Sequence, residues 1–261
     1  MMTKITVSGI QMDITPKDAD TNLKRALDMI DRATLKNSQI VCLPELFTTG
    51  FYYDYIKKCA TKIPNSVTDA LCEKAKSSEI YIIAGSIAEK VGKKIYNTSV
   101  FIGRDGKIIG KYRKVHLFPL MGEDKNFCSG TDIRIFETDF GPMGVVICYD
   151  LRFPEIFRKI ALMGAKVIFV PSEFPNPKID HWRTLLKARA IENQLYIFGV
   201  NTIGHDESST FFGHSMVCDP LGIVIAESDD KGDIITVNID LSKIDHVRRR
   251  VFYLENCAQG F

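Results

Sequence analysis

The sequence predicts an α/β fold built on a mixed sheet, and three observations carry that prediction. Short runs rich in Val, Ile and Phe alternate with amphipathic segments along the chain, the pattern of strands separated by crossover helices. Two strand candidates, NTSVFIG (97–103) and KIIGKYRK (107–114), are joined by Arg104-Asp105-Gly106, where Asp-Gly marks a tight antiparallel hairpin. No Gly/Ser-rich linker, low-complexity stretch or short repeat interrupts the 261 residues, which read as one continuous domain over 1–261.

The elements follow in order. ITVSGIQM (5–12) is a strand, residues 20–36 are a helix, QIVCLPE (39–45) is a strand, residues 66–78 are a helix, and IYIIAGS (80–86) is a strand before the hairpin. The rhythm then repeats. GVVICYD (144–150) is a strand, a helix starts near Pro154, where a missing N–H costs nothing, and AKVIFVPS (165–172) is the next strand. In the helix over 180–194, Trp182, Leu185, Leu186 and Ala190 fall at helical spacing and give one buried stripe. QLYIFGVN (194–201) and a hairpin-like end, HSMVCDPLGIVIAES with DIITVNID, complete the pattern.

Composition excludes several classes. Hydrophobic residues at 45% and charged residues at 25% are the usage of a globular protein. The formal charge of +2 gives no reason for a nucleic-acid or membrane partner. The amino-terminal MMTKITVSGIQMDITP lacks the apolar core of a signal peptide, and no apolar run approaches the roughly 18 residues of a spanning helix, so the expectation is a cytoplasmic protein. The seven cysteines (42, 59, 72, 128, 148, 218, 257) are scattered without a CxxC pair, which signals neither a disulfide framework nor a zinc site; most are expected to be small buried hydrophobes. No GxxxxGK[ST] or GxGxxG supports nucleotide binding.

Ligands of open α/β sheets bind at the carboxyl ends of strands, and three such ends carry a polar residue after an apolar run: Glu45, Lys114 and Cys148. A helix amino end, Arg152 or Lys114 near Cys148 would favour its thiolate; equally, a cysteine closing an apolar strand is often core. Glu45, enclosed by the aromatics of TTGFYYDY, could serve as a general base toward a thiol, or be a loop glutamate. Lys114 could face a developing oxyanion, or be a solvated strand-end lysine. Glu123, nine positions on, could orient Lys114, or lie on a surface loop. Five histidines (116, 181, 205, 214, 246) leave room for a cysteine–histidine pair, with His116 nearest the candidates in sequence, although a hydrogen-bonded structural role suits it better. Arg189 and Glu192 at i, i+3 are expected to pair, and Arg248 to Arg250 to form a solvated helix face.

Taken together, PELFTTGF around Glu45, YRKVHLF around Lys114 and ICYDLRFPE around Cys148 resemble the three signature blocks of the nitrilase, or carbon–nitrogen hydrolase, superfamily. AGSIAEK, YNTSVF, HWRTLLKARAIENQ and FGHSMVCDPLG extend the resemblance over nearly the whole chain. It implies a four-layer α-β-β-α sandwich, assembly into a homodimer or larger homo-oligomer through helices around the cysteine, and no metal or organic cofactor. It also implies Glu45 as general base, Lys114 as cation, Cys148 as nucleophile and Glu123 as a supporting carboxylate. The implied chemistry is hydrolysis of a linear amide through a thioester, the oxyanion being held by Lys114 and the backbone N–H of Tyr149. Tyr149 to Pro154, HLFPLMGE and the DHWRTLLKARAIENQ block are most similar to the ω-amidase, or 2-oxoglutaramate amidase, branch. There Arg152 matches an arginine that faces substrate; on physical grounds it could bind a carboxylate bidentately or brace the turn through Asp150 or Glu155. Deaminated glutathione amidases are similar in the same turn. A catalytically idle binding module of the same fold is the alternative from another class. The loop SEFPNPKIDHW is shorter than in some branches, which bears on pocket shape.

Overall fold

A computed structural model describes residues 3–251 except 208, together with 254, 256 and 257. In chain order its elements are β1 (Lys4–Gln11), α1 (Ala19–Thr34), β2 (Ile40–Cys42), α2 (Tyr53–Cys59), α3 (Ser66–Ser78), β3 (Tyr81–Ile83), β4 (Ile87–Val91), β5 (Lys94–Ile102) and β6 (Ile108–Arg113). They continue with α4 (Glu123–Asn126), β7 (Ile135–Phe136), β8 (Met143–Val145), α5 (Pro154–Leu162), β9 (Val167–Ser172), α6 (Ile179–Asn193) and β10 (Tyr196–Asn201). β11 (Ile203–His205), β12 (Thr210–Phe212), β13 (Met216–Cys218), β14 (Val224–Glu227), β15 (Asp233–Asp240) and α7 (Ser242–Arg250) end the chain.

The strands form two mixed sheets where the alternation of runs suggested one. The first runs β15-β1-β2-β3-β5-β4 with β6 also on β5, and the second runs β14-β13-β10-β9-β8-β7. Side chains of successive strand residues point to opposite faces, and this sorts the core. Ile40, Cys42, Tyr81 and Ile83 turn inward to meet Val145, Phe169 and Phe198 of the second sheet. Val41 and Ile82 turn outward, onto Ala26 and Ile30 of α1 and Leu71 and Ala75 of α3. On the far side α5 and α6 cover the second sheet through Ile156, Ile160, Trp182 and Leu186. The result is the α-β-β-α sandwich.

The sheets approach closely where Gly9 of β1 faces β10: a Cβ there would lie 2.8 Å from Val200 and 2.9 Å from the Phe198 ring. Nearby, Gln11 ties the two sheets. Its Oε1 accepts from the Ser215 N–H at 2.9 Å and the Ser228 hydroxyl at 2.7 Å, while its Nε2 donates to the carbonyls of Asp229 and Lys231.

Several expectations need correction. The strands predicted to reach Glu45, Ser86, Lys114 and Asp150 stop at Cys42, Ile83, Arg113 and Val145; the residues beyond them turn out of the sheets. β13 and β14 form the expected hairpin, but β15 crosses to the first sheet and pairs antiparallel with β1 along its whole length. Of the cysteines, Cys42, Cys148 and Cys218 are buried, whereas Cys59, Cys72, Cys128 and Cys257 are partly exposed. Arg249 and Arg250 are exposed, but Arg248 is half-buried, and burial lowers its proton affinity. The stripe on α6 holds, with Leu185 half-buried against the same core as Trp182, Leu186 and Ala190. Among the described residues no helix is long and apolar enough to cross a membrane.

Candidate active site

Four of the candidate residues converge, and they come from both sheets. Glu45 follows β2 on a loop that leaves the sheet at its carboxyl end and packs tightly over residues 83–86. The Leu46 N–H donates to Ser86 Oγ at 2.9 Å, and Gly85, at φ +49°, is required because a Cβ there would sit 1.8 Å from the Pro44 carbonyl. Lys114 follows β6 and Glu123 opens α4; the loop between them folds back so that the Phe118 N–H donates to Glu123 Oε2 at 2.7 Å.

Lys114 Nζ donates to Glu45 Oε1 at 2.8 Å and to Glu123 Oε2 at 2.6 Å, with all three side chains at most 1% exposed. Asn97 of β5 bridges the same carboxylates, its Nδ2 lying 2.8 Å from Glu45 Oε1 and 3.3 Å from Glu123 Oε1. Burial by itself would strip the proton from Lys114, but the Glu123 and Glu45 carboxylates hold its affinity well above that of an ordinary lysine. Burial removes the surface alternatives for Glu45, Lys114 and Glu123. It leaves Glu45 with one oxygen more heavily engaged than the other: Oε1 accepts from Lys114 and Asn97, whereas Oε2 accepts the Glu173 N–H, at 3.0 Å.

Cys148 enters from the second sheet. It begins a short 3-10 turn over Cys148–Arg152 with φ +44°, a left-handed conformation that a side chain adopts at a cost of about 1–3 kcal/mol. The buried Asp150 carboxylate sustains this turn. It accepts from the Ile147 N–H (3.0 Å), the Tyr112 hydroxyl (2.7 Å) and the His116 N–H (2.9 Å), and His116 Nδ1 lies 2.8 Å from it. His116 stacks on Phe153 at 3.6 Å between centroids. It is a structural histidine, and the groups acting on Cys148 are Glu45, Lys114 and Glu123 rather than an imidazole.

The setting of Cys148 favours the thiol over the thiolate. Burial and the Glu45 carboxylate push the Cys148 thiol well above an ordinary cysteine, and Lys114 offsets only part of this. The turn separates Cys148 from α5, and the guanidinium of Arg152 is engaged elsewhere. Its Nη2 is 3.3 Å from His181 Nδ1, and it lies 5.4 Å from the Phe174 ring and 6.0 Å from the Tyr149 ring. Neither Asp150 nor Glu155 pairs with it, so the suggested brace is absent. The Arg189–Glu192 pair forms as expected at 3.0 Å, and Arg189 Nε also donates to the Leu151 carbonyl, fixing α6 against the turn.

Sequence reasoning missed Asn97 and Glu173, and named Asp150 only as a possible partner of Arg152. Glu173 stands directly after β9, and burial together with the charge of Glu45 raises its carboxyl well above the usual range. Among the described residues no group of three or more His, Cys, Asp or Glu side chains is arranged to hold a metal ion.

The carbon-nitrogen hydrolase profile matches residues 6–249. A 2-oxoglutaramate amidase of Bacillus subtilis is 38% identical over 95% of this chain and 95% of its own. The omega-amidase NIT2 of Homo sapiens is 34% identical over 96% of this chain and 94% of its own. The crystal structure of Saccharomyces cerevisiae Nit3, a member of branch 10 of the nitrilase superfamily, superposes with a TM-score of 0.89 at 34% identity, covering 96% of this chain and 95% of that one. Profile, relatives and fold agree over the whole of the two sheets, and the chain belongs to the carbon-nitrogen hydrolase family.

Proposed function

We propose that the protein is an amidase that releases ammonia from the terminal amide of a small dicarboxylic monoamide of the 2-oxoglutaramate kind, through a thioester on Cys148. The observation that carries this reading is the convergence of a buried thiol with one buried lysine and two buried carboxylates. A binding module has no need of a thiol, a base and a cation together. The high proton affinity of the thiol means that attack requires a base, and Glu45 Oε2 is the oxygen with capacity to accept the proton. As sulfur bonds to the amide carbon, the carbonyl oxygen gains charge near Lys114 Nζ and the Tyr149 N–H. Protonated Glu45 gives its proton to the departing nitrogen, ammonia leaves, and water activated by the same carboxylate hydrolyses the thioester. Glu123 keeps Lys114 charged and directed.

Arg152 supplies the carboxylate specificity in this reading. Its guanidinium has no carboxylate partner among the described residues and is held by aromatic faces beside the cysteine turn, a setting suited to a substrate carboxylate. The similarity to the Bacillus subtilis enzyme supports the same substrate class. We also propose a reducing, cytoplasmic setting, supported by the absence of disulfides at Cys42, Cys59, Cys72, Cys128, Cys148 and Cys218. Self-association across α5 is proposed too, supported by a groove of about 700 Å³ in which apolar Ile156, Leu162 and Met163 lie among charged Glu155, Arg158 and Lys159.

Incubation with 2-oxoglutaramate tests the central claim. Wild type should release ammonia and Cys148→Ala should not, with a drop of at least ~10⁴-fold; ammonia release that survives Cys148→Ala removes the thioester mechanism.

A further inference from the structure

Glu173 has no part in the chemistry described so far, yet it touches that chemistry on one side and a separate space on the other. Its backbone N–H donates to Glu45 Oε2 at 3.0 Å. Its side chain is 1% exposed, and Oε1 is buried with no hydrogen-bond partner. A buried oxygen left unpaired would cost about 1–3 kcal/mol, so Oε1 calls for a partner. The surrounding backbone leaves the residue little freedom. The next N–H, that of Phe174, donates to Asn201 Oδ1 at 2.7 Å, and Asn201 Nδ2 donates back to the Phe174 carbonyl at 3.2 Å.

Glu173 also lines a small pocket with Tyr52, Thr202, Ile203, Asp206 and Phe211, a set that contains none of Glu45, Lys114, Glu123 and Cys148. Its volume is about 10 Å³, the space of one water, and Glu173 and its polar neighbours there offer the two or more partners a buried water needs.

We propose that Glu173 is a positioning residue that holds a single water in this pocket, beside Glu45, and that this is the water that hydrolyses the thioester. The inference rests on the amidase reading above. Once ammonia has left, Glu45 is again a carboxylate and Cys148 is acylated. The water moves from Glu173 to Glu45 Oε2, gives that oxygen its proton, and forms a bond from its own oxygen to the thioester carbon. The tetrahedral intermediate expels the sulfur, which takes the proton back from Glu45, and the acid departs. Glu173 is unchanged throughout. Burial and the nearby Glu45 and Asp206 carboxylates raise the proton affinity of its carboxyl, with Lys114 opposing; in the protonated form it can donate one hydrogen bond and accept another. Glutamine can do the same and leucine can do neither.

The test separates the two half-reactions. With Glu173→Leu, rapid mixing should show a burst of one ammonia per enzyme, then turnover slowed by about tenfold or more, with the thioester visible by mass. Hydroxylamine, which can enter from the substrate side, should relieve the block, and Glu173→Gln should recover most of the lost deacylation rate. Deacylation at the wild-type rate in Glu173→Leu, or an equal loss in both half-reactions, overturns the proposal while leaving the amidase reading intact. Absence of any ammonia from wild type is instead a failure of that reading, and the water site is then judged on its own. A crystal structure fine enough to show waters should place one against Glu173 Oε1 in wild type and none in Glu173→Leu; no water there in wild type overturns the proposal.

Discussion

Two buried glutamates stand on opposite faces of the same strands, and the contrast between them separates a brace from a reacting site. Because strand neighbours point to opposite faces, Asn97 reaches Glu45 while Thr98 reaches Glu89, and Lys114 turns inward while Arg113 turns out. Glu89 is met by two cations, Lys111 at 2.6 Å and Arg113 at 2.8 Å, whose side chains are 33% and 34% exposed. Burial would raise its proton affinity, but the bonds from Arg113, Lys111 and Thr98 win and lower it. On the other face one fully buried lysine serves Glu45, Glu123 and the Cys148 thiol, and burial raises the proton affinity of both the thiol and the neighbouring Glu173. An excess of cations satisfies a carboxylate; a shortage keeps groups poised to exchange protons.

The largest test of that contrast exchanges the cations. Lys114→Met should lower ammonia release by at least ~10²–10³-fold, the usual loss for a group facing an oxyanion, whereas Arg113→Met, one residue away, should leave turnover within about threefold of wild type. Similar losses in both variants would erase the distinction. Glu45→Gln should cost about 10²–10⁴-fold in rate as the general base is lost. Glu89→Gln should instead cost about 1–3 kcal/mol of stability, seen as a lower melting temperature, with turnover preserved.

Proton affinity provides the finer tests. Alkylation of Cys148 by iodoacetamide in wild type should keep rising with pH beyond the range of an ordinary cysteine. In Glu45→Gln the profile should shift to lower pH, since the negative charge that helps raise the thiol is gone. The smallest effect concerns Glu173. A carboxyl raised in the folded state stabilises the fold below its unfolded pKa of about 4.3, and that contribution is lost as pH rises toward the folded value. The melting temperature of Glu173→Gln should therefore gain on wild type between pH 4 and pH 7, and a constant difference across that range would show the carboxyl is not held neutral.

Much of the frame was legible because it is periodic. α1, α3, α6 and the β5–β6 hairpin stand close to where their patterns place them, since their amphipathic faces or Asp-Gly turn are local signals. The division into two sheets was not legible from such patterns. β2 and β3 are three-residue strands buried on both faces, so Ile40–Cys42 and Tyr81–Ile83 read as unbroken apolar runs with no hint of which residue faces which layer. β4 and α2 were missed for want of length and pattern, and the pairing of β15 with β1 joins the two ends of the chain, which no local pattern reports. Within the site, Glu45, Lys114 and Cys148 each follow an apolar run. Glu173 obeys the same rule after VIFVPS, but a glutamate between serine and a Phe-Pro loop has the composition of a surface turn. Asp150 hid in the same way, because its role is to hold backbone N–H groups that only the folded turn presents.

The close approach at Gly9 bears on where tolerance to mutation ends. Glu45 and Lys114 hang from one sheet and Cys148 from the other, so the distance between thiol and Glu45 is a spacing between two separately built layers. A methyl group at Gly9 would meet Val200 and Phe198 and pry those layers apart, stretching the gap from sulfur to carboxylate while leaving every side chain of the candidate site present. Such a variant would be a folded protein with its gap set wrong, and the family's chemistry would act as a feeler gauge for the seam between its sheets.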